Sequence, residues 1–229
     1  MTNFNYLALN QTNKASGVVI VIDVLRAFTT AAHAFEAGAE KIYPVAGVRE
    51  ALKMRKKFPG SLIMGEVDGE MPAGFDFGNS PDQFRDWDLL GRNMIQRTSA
   101  GTQGVVNVKQ ADQLFAASFV VAKATAMHVL ALDPSEVSFI VTGESMGRDG
   151  DEDRACGEYI QALIEGRMPN PDVFTKRVSL SAAGIAFRSE ENWPIFGVDL
   201  EMSTQVDRFP FSMPIIRKGK FRVMTRCNL

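Results

Sequence analysis

Along most of this chain, runs of aliphatic residues alternate with stretches of helical spacing. Positions 18–22 read Val-Val-Ile-Val-Ile, an unbroken run that suits a strand covered on both faces. Asp23 follows at once, at the carboxyl end of that strand. Positions 26–36 then take helical spacing, with Gly38 as a stop signal. The pattern repeats with a strand over 41–45, a helix over 48–58 closed by Pro59-Gly60, and a strand over 61–64. A long loop rich in glycine and acids fills 65–78, and Ser80-Pro81-Asp82 then opens a short helix, with serine as cap and proline where a missing N–H does little harm. Further on, the spacing predicts a strand over 93–97, a helix over 120–132, a strand over 137–141 and an amphipathic helix over 152–165. A hairpin pairs 214–217 with 220–224 and turns at Lys218-Gly219. Alternation of this kind predicts an α/β domain built on a central sheet. No Pro- or Gly-rich linker divides the chain, so a single domain over 1–229 is expected, with 170–194 as a partly separate cap.

Composition narrows the function. Of 229 residues, 45% are hydrophobic and 23% charged, which is ordinary for a globular protein. The formal charge of -2 implies no broad basic face, so nucleic-acid binding is not expected. The longest apolar stretch, 115–132, contains Lys123, His128, Ser118 and Thr125 and reads as a buried helix, not a membrane span. The first residues lack the basic-then-apolar layout of a secretory signal, so a cytoplasmic protein is expected.

Several chemistries are excluded by residue type. With two cysteines and two histidines, and no C-x-x-C or H-E-x-x-H, the common zinc sites are absent. His33 and His128 sit in helical patterns and read as packing residues; Cys156 reads as a core thiol. Gly143-Glu144-Ser145-Met146-Gly147 fits a nucleophile elbow, but both histidines precede Ser145, so the triad has no histidine in the usual order. Neither a Walker lysine nor G-x-G-x-x-G occurs.

What remains is carboxylate and hydroxyl chemistry. Asp23, Glu66, Asp68, Glu70, Asp76, Glu144, Asp149, Asp151, Glu152 and Asp153 fall mostly at predicted strand ends, where open α/β sheets collect ligands. Acids gathered there repel unless a cation lies between them, and an oxygen-rich site favours magnesium or manganese. Asp23, next to a buried strand, needs a partner, either Arg26 or a metal. Thr98-Ser99-Ala100-Gly101-Thr102 offers hydroxyls and N–H groups that suit an anion, with Arg26 and Arg97 adding forked hydrogen bonds.

Four segments together resemble the 2-phosphosulfolactate phosphatase family of coenzyme M biosynthesis: Val21-Ile22-Asp23-Val24-Leu25-Arg26-Ala27-Phe28-Thr29-Thr30, Gly74-Phe75-Asp76-Phe77-Gly78-Asn79-Ser80-Pro81, Arg97-Thr98-Ser99-Ala100-Gly101-Thr102, and Glu152-Asp153-Arg154-Ala155-Cys156-Gly157. The resemblance implies a three-layer α/β/α sandwich with a mixed sheet. It also implies magnesium-dependent hydrolysis of (R)-2-phospho-3-sulfolactate to 3-sulfolactate and phosphate. On that basis Asp23, Arg26 and Asp76 are expected to be catalytic, and Asp23, Asp76 and Glu144 to hold Mg2+. Asn79, Ser80, Thr98, Ser99, Gly101 and Thr102 are expected to bind the substrate, a small phosphorylated and sulfonated organic acid. Two departures bear on substrate choice: Ala100 stands where the family commonly has asparagine, and Val67-Asp68-Gly69-Glu70 replaces a loop that often carries arginine. They keep open a phosphatase for another phosphorylated hydroxy acid, and a non-catalytic protein that binds small anions. A homodimer is the general expectation for a soluble enzyme of this size.

Overall fold

A computed structural model describes residues 2–145, 147–189, 191 and 193–228, without the side chains of 193–195. Met146, inside the Gly143–Gly147 motif, and Glu190 and Asn192, inside the 170–194 stretch, lie outside the described residues.

The strands are β1 (Asn3–Ala8), β2 (Val18–Ile22), β3 (Lys41–Pro44), β4 (Leu62–Gly65), β5 (Asn93–Arg97), β6 (Gln113–Ala117), β7 (Glu136–Val141), β8 (Phe211–Lys218), β9 (Phe221–Met224) and β10 (Cys227–Asn228). The helices are α1 (Ala27–Glu36), α2 (Val48–Lys57), α3 (Gly101–Asn107), α4 (Ala122–Ala131), α5 (Asp151–Ile164), α6 (Pro171–Leu180), α7 (Ala182–Phe187) and α8 (Trp193–Ser203). One mixed sheet runs β1-β7-β2-β6-β8-β9-β3-β5-β4, with β10 paired to β8. The first four strands are mutually parallel, as are the last three. The antiparallel β8–β9 hairpin joins these two blocks: Met213 and Pro214 pair with β6, and the strand then passes to β9, whose Met224 meets Ile42 of β3.

Burial explains the patterns. All five residues of β2 are buried, as its aliphatic run requires. Eight of the ten residues of α1 are buried, because α1 packs against Val19 and Val21 of β2 and also against Ile42, Met64 and Met94 of the other block. The opposite face of β2 carries Val18, Ile20 and Ile22, covered by Ala122, Ala126 and Val129 of α4 and Ala155, Cys156 and Ile160 of α5. The thiol of Cys156 is fully buried in that layer, as expected of a core residue. In contrast α2 buries only Ala51 and Met54 on Tyr43, Ile63 and Ile95, and turns its lysines to water. Helices thus cover both faces of a mixed sheet, the expected α/β sandwich. Val178 of α6 is fully buried in the α4–α5 layer, and Arg177 pairs with Asp151 and Glu158 of α5.

The structure corrects three local readings. The stretch 115–132 is not one helix: Phe115, Ala116 and Ala117 belong to β6, held between β2 and β8, and α4 begins only at Ala122. The interior strand position overrides a composition that suits either state. Pro81–Phe84 forms a short 3-10 turn, but the Ser80 side chain does not cap it. The hairpin is longer than 214–224: β8 runs Phe211–Lys218 and Lys218 pairs with Phe221, so the turn lies at Gly219-Lys220. No helix among the described residues is long and apolar enough to cross a membrane.

Candidate functional site

Asp23 leaves β2 where the parallel strands end, and its backbone N–H still donates to Ala117 O at 3.3 Å. Its side chain is only 6% exposed. Oδ1 accepts the Ala27 N–H at 2.9 Å, and the Gly101 N–H donates to the same carboxylate. Position 101 has to be glycine: a Cβ there would lie 2.7 Å from Asp23 Oδ2 and 2.7 Å from Ala27 Cβ. Burial, offset in part by the Ala27 N–H and reinforced by the charges of Glu66 and Glu152, pushes the Asp23 carboxyl up to about 6.

Glu66 follows β4 as Asp23 follows β2. Its backbone N–H donates to Arg97 O at 2.9 Å, and a Cβ at Gly65 would strike that same oxygen at 1.8 Å. Glu66 Oε2 accepts from Gly69 N at 2.8 Å and from Ser99 Oγ at 3.0 Å; Oε1 accepts from Ser99 N. Arg97 donates to Glu66 O at 2.6 Å and so braces this loop rather than reaching outward. Asp23, Glu66, Asp68, Asn79, Ser99, Ser145, Arg26 and Arg148 line one cavity of about 560 Å3. A smaller cavity of about 200 Å3 adjoins it, sharing Arg26, Gly69 and Asn79, and is also lined by Ser80 and Asp199.

Of the expected site residues, the structure gathers Asp23, Arg26, Asn79 and Ser99 around the main cavity. Asn79 Oδ1 is buried with no hydrogen-bond partner, an acceptor left open beside the cavity. Gly101 lies behind Asp23. Thr98 and Thr102 are buried and cap each other across the start of α3: Thr102 N donates to Thr98 Oγ1 at 3.0 Å, and Thr98 N to Thr102 Oγ1 at 2.8 Å. Their hydroxyls therefore serve the helix start and do not line the cavity. Ser80 Oγ donates to Asp199 Oδ1 at 2.6 Å.

Two carboxylates expected to be ligands are placed elsewhere. Asp76 Oδ2 accepts the Ile63 N–H at 2.7 Å and pairs with Arg55 at 3.0 Å, which ties the long loop back onto β4 away from the cavity. Glu144 pairs with Arg154 at 3.3 Å, partly exposed, and does not line the cavity. Among the described residues, no three His, Cys, Asp or Glu side chains form a group able to hold a metal ion. Ser145 lines the cavity, but its hydroxyl accepts from Arg148 at 3.2 Å; His128 bonds Ser212 at 2.7 Å and His33 stacks edge-on against Phe209, so neither serves Ser145.

Other residues complete the arrangement. Arg26 is not paired with Asp23. Its guanidinium donates to Asp199 Oδ2 at 2.7 Å, with side chains 8% and 1% exposed. It also lies 4.6 Å from the ring centroid of Phe196 and 5.3 Å from that of Phe187. The acid run at the start of α5 is not simply solvated. Asp151 pairs with Arg177, and Asp153 turns inward, accepting from Val24 N at 2.8 Å, Gly143 N at 2.7 Å and Thr142 Oγ1 at 3.2 Å. Asp153 thus ties the ends of β2 and β7 together. Acidic residues in a first helical turn are also favoured by the helix dipole. Glu66 and Asp153 were detectable from their places after a strand and in a helix's first turn. Asp199 sits inside α8 with no motif around it.

Acids and arginines, Asp23, Glu66 and Arg26 among them buried, surround a cavity at the strand ends of an α/β sheet, where such folds collect small ligands. The comparisons with known proteins sharpen this: the model of the 2-phosphosulpholactate phosphatase family matches residues 5–189, and the chain belongs to that family. A protein of Bacillus subtilis (strain 168) described as a probable 2-phosphosulfolactate phosphatase is 37% identical over 147 residues, covering 64% of each chain. One from Carboxydothermus hydrogenoformans, described in the same words, is 44% identical over 152 residues, covering 66% of this chain and 62% of the relative. Another from Caldicellulosiruptor saccharolyticus is 30% identical, covering 76% and 72%. The chain thus spans 64% and 62% of the length of the first two relatives.

Proposed function

We propose that this chain is a phosphoric monoester hydrolase that cleaves 2-phosphosulfolactate to 3-sulfolactate and phosphate, with Mg2+ as cofactor. The reading rests on one observation above others: a buried carboxylate, Asp23, shares an open strand-end cavity with Arg26 and Arg148 in a chain of this family. Such a substrate carries two strongly acidic groups, and two arginines line the space that would receive it. Arg26, at the junction of the larger and smaller cavities, is held by Asp199 and by the faces of Phe187 and Phe196, so its fork is oriented before a ligand arrives.

The oxygens lining the cavity fit magnesium. Asp23, Glu66 and the open Asn79 Oδ1 are hard donors, and Mg2+ commonly takes one or two carboxylates and completes its shell with water and phosphate. When bound, the ion neutralises charge on the transferring phosphoryl oxygens. Glu66, fixed by Ser99 and Gly69, keeps the loop after β4 against Asp23. Hydrolysis forms a bond from a water oxygen to phosphorus, breaks the bond from phosphorus to the ester oxygen, and returns a proton to that oxygen.

A panel of phosphate monoesters, each with and without Mg2+, tests the proposal by released phosphate. It expects 2-phosphosulfolactate to be turned over fastest and chelation to abolish the reaction. Release only from other phosphorylated hydroxy acids would reassign the substrate. No release from any ester, with tight binding of an organic acid, would leave an anion-binding protein instead.

A further inference from the structure

On another part of the molecule, α2 meets the β8–β9 hairpin along a groove. Two cavities of about 370 and 310 Å3 adjoin there and share Glu50, Met54, Lys220 and Phe221. Lys53 and Lys57, one helical turn apart on α2, line one of them. Lys109, Arg217 and Arg222 line the other, and Lys220 borders both. Six cations therefore surround one acid in a chain whose formal charge is -2.

The cations are not balanced by the protein. None of the ion pairs among the described residues uses any of the six. The carboxylate of Glu50 accepts the Ala46 N–H at 3.1 Å. The closeness of Lys220, with a smaller push from the charge of Lys53, holds the Lys57 ammonium below its ordinary value. A merely solvated basic face would let flexible lysines spread apart. Here they converge over an ordered floor, since Phe221 packs edge-on against Tyr43 and Phe58. A singly charged anion would satisfy one or two of these groups; the arrangement calls for several negative charges in a row, and the space is that of a small molecule.

We propose that this groove is a second anion site, separate from the Asp23 cavity, for a small molecule bearing a chain of phosphates. Inorganic polyphosphate and a nucleoside polyphosphate share that chemistry. Titration calorimetry of the full chain with tripolyphosphate, without Mg2+, tests it. Tripolyphosphate should bind one to one, at least about tenfold more tightly than inorganic phosphate, and weaken as salt rises. Lys57→Gln with Lys220→Gln should weaken it by at least about tenfold with an unchanged melting temperature or a slightly raised one. Asp23→Asn should leave it intact. ATP binding more tightly than tripolyphosphate would place a base on the Phe221 floor; equal affinity would assign the phosphate chain alone. Absence of binding, indifference to the lysine changes, or loss in Asp23→Asn would overturn the proposal. Binding confined to long single-stranded RNA would overturn it in favour of a nucleic-acid surface. None of these outcomes depends on turnover at the Asp23 cavity.

Discussion

At the carboxyl end of β2 the crowded charges are carboxylates, and in the groove between α2 and the hairpin they are ammonium and guanidinium groups. Asp23, Glu66, Glu152 and Asp153 are all buried, whereas Lys53, Lys57 and Lys220 are exposed to water. Water does not screen the buried acids, so the chain itself must hold them. Asp23, Glu66 and Asp153 each accept at least two hydrogen bonds from backbone N–H or hydroxyl groups. In the groove, Arg217 and Arg222 donate to the Gly219 and Val108 carbonyls, and the lysines are left to water. The contrast teaches where repulsion is structural and where it is left for a ligand: removing a buried acid should break something, and removing a groove lysine should relieve something.

The largest break is expected at Asp23. Asp23→Asn should lower phosphate release from 2-phosphosulfolactate on the order of a thousandfold while far-ultraviolet dichroism stays unchanged, as for loss of a group acting on transition-state charge. Near-normal turnover in saturating Mg2+ would remove Asp23 from the centre of the account.

Asp153 should matter first for stability. Asp153→Ala leaves the Val24 and Gly143 N–H groups and the Thr142 hydroxyl without this buried partner. The loss should be about 2–4 kcal/mol, read as a fall in melting temperature of roughly 5–15 °C. An unchanged or higher melting temperature would mean that repulsion outweighs the hydrogen bonds there.

Asp199 separates binding from chemistry. With Asp199→Asn, Arg26 keeps its stacking and loses its counter-charge, so KM should rise about tenfold and kcat should change little. A fall in kcat at unchanged KM would instead give Arg26 a role confined to the transition state.

His33 tests burial as the main cause of a shift. Burial, followed by the charge of Arg208, lowers its pKa from 6.5 to about 4. The folded state then disfavours the proton that the unfolded chain accepts, so this contribution to stability is complete above pH 6.5 and is lost as pH falls towards about 4. His33→Phe, which keeps the stacking on Phe209, should flatten the decline in melting temperature across that window. An identical decline in the variant would assign it to other groups.

The smallest effect belongs to the groove. Lys57→Gln with Lys220→Gln should raise the melting temperature at low salt by about 1–2 °C, and the gain should vanish at high salt. A lower melting temperature at low salt would show that the pair is not strained.

Much of this was legible in the sequence, for physical reasons. The β2 run admits only a doubly covered strand, so Asp23 is at once located at a strand end. Glu66 obeys the same rule after β4. Asp76 stands out because it lies in a distinctive motif, Gly74 to Pro81, and its carboxylate closes a loop onto the Ile63 N–H. Thr98 and Thr102 looked like anion donors, yet their spacing lets each cap the other. Asp199 had no signal: it reaches Arg26 across a separation of 173 residues, and only the packing of α8 brings them together. The β1 strand was also missed, since Asn3–Ala8 is a half-buried edge without a clean apolar face.

Phosphorus NMR of 2-phosphosulfolactate incubated with the full chain and Mg2+ tests the central claim most directly. The account predicts that the ester resonance is replaced by inorganic phosphate in the wild-type sample and persists in a parallel Asp23→Asn sample. An ester signal that survives unchanged with the folded wild-type protein, or that decays equally in both samples, would contradict it.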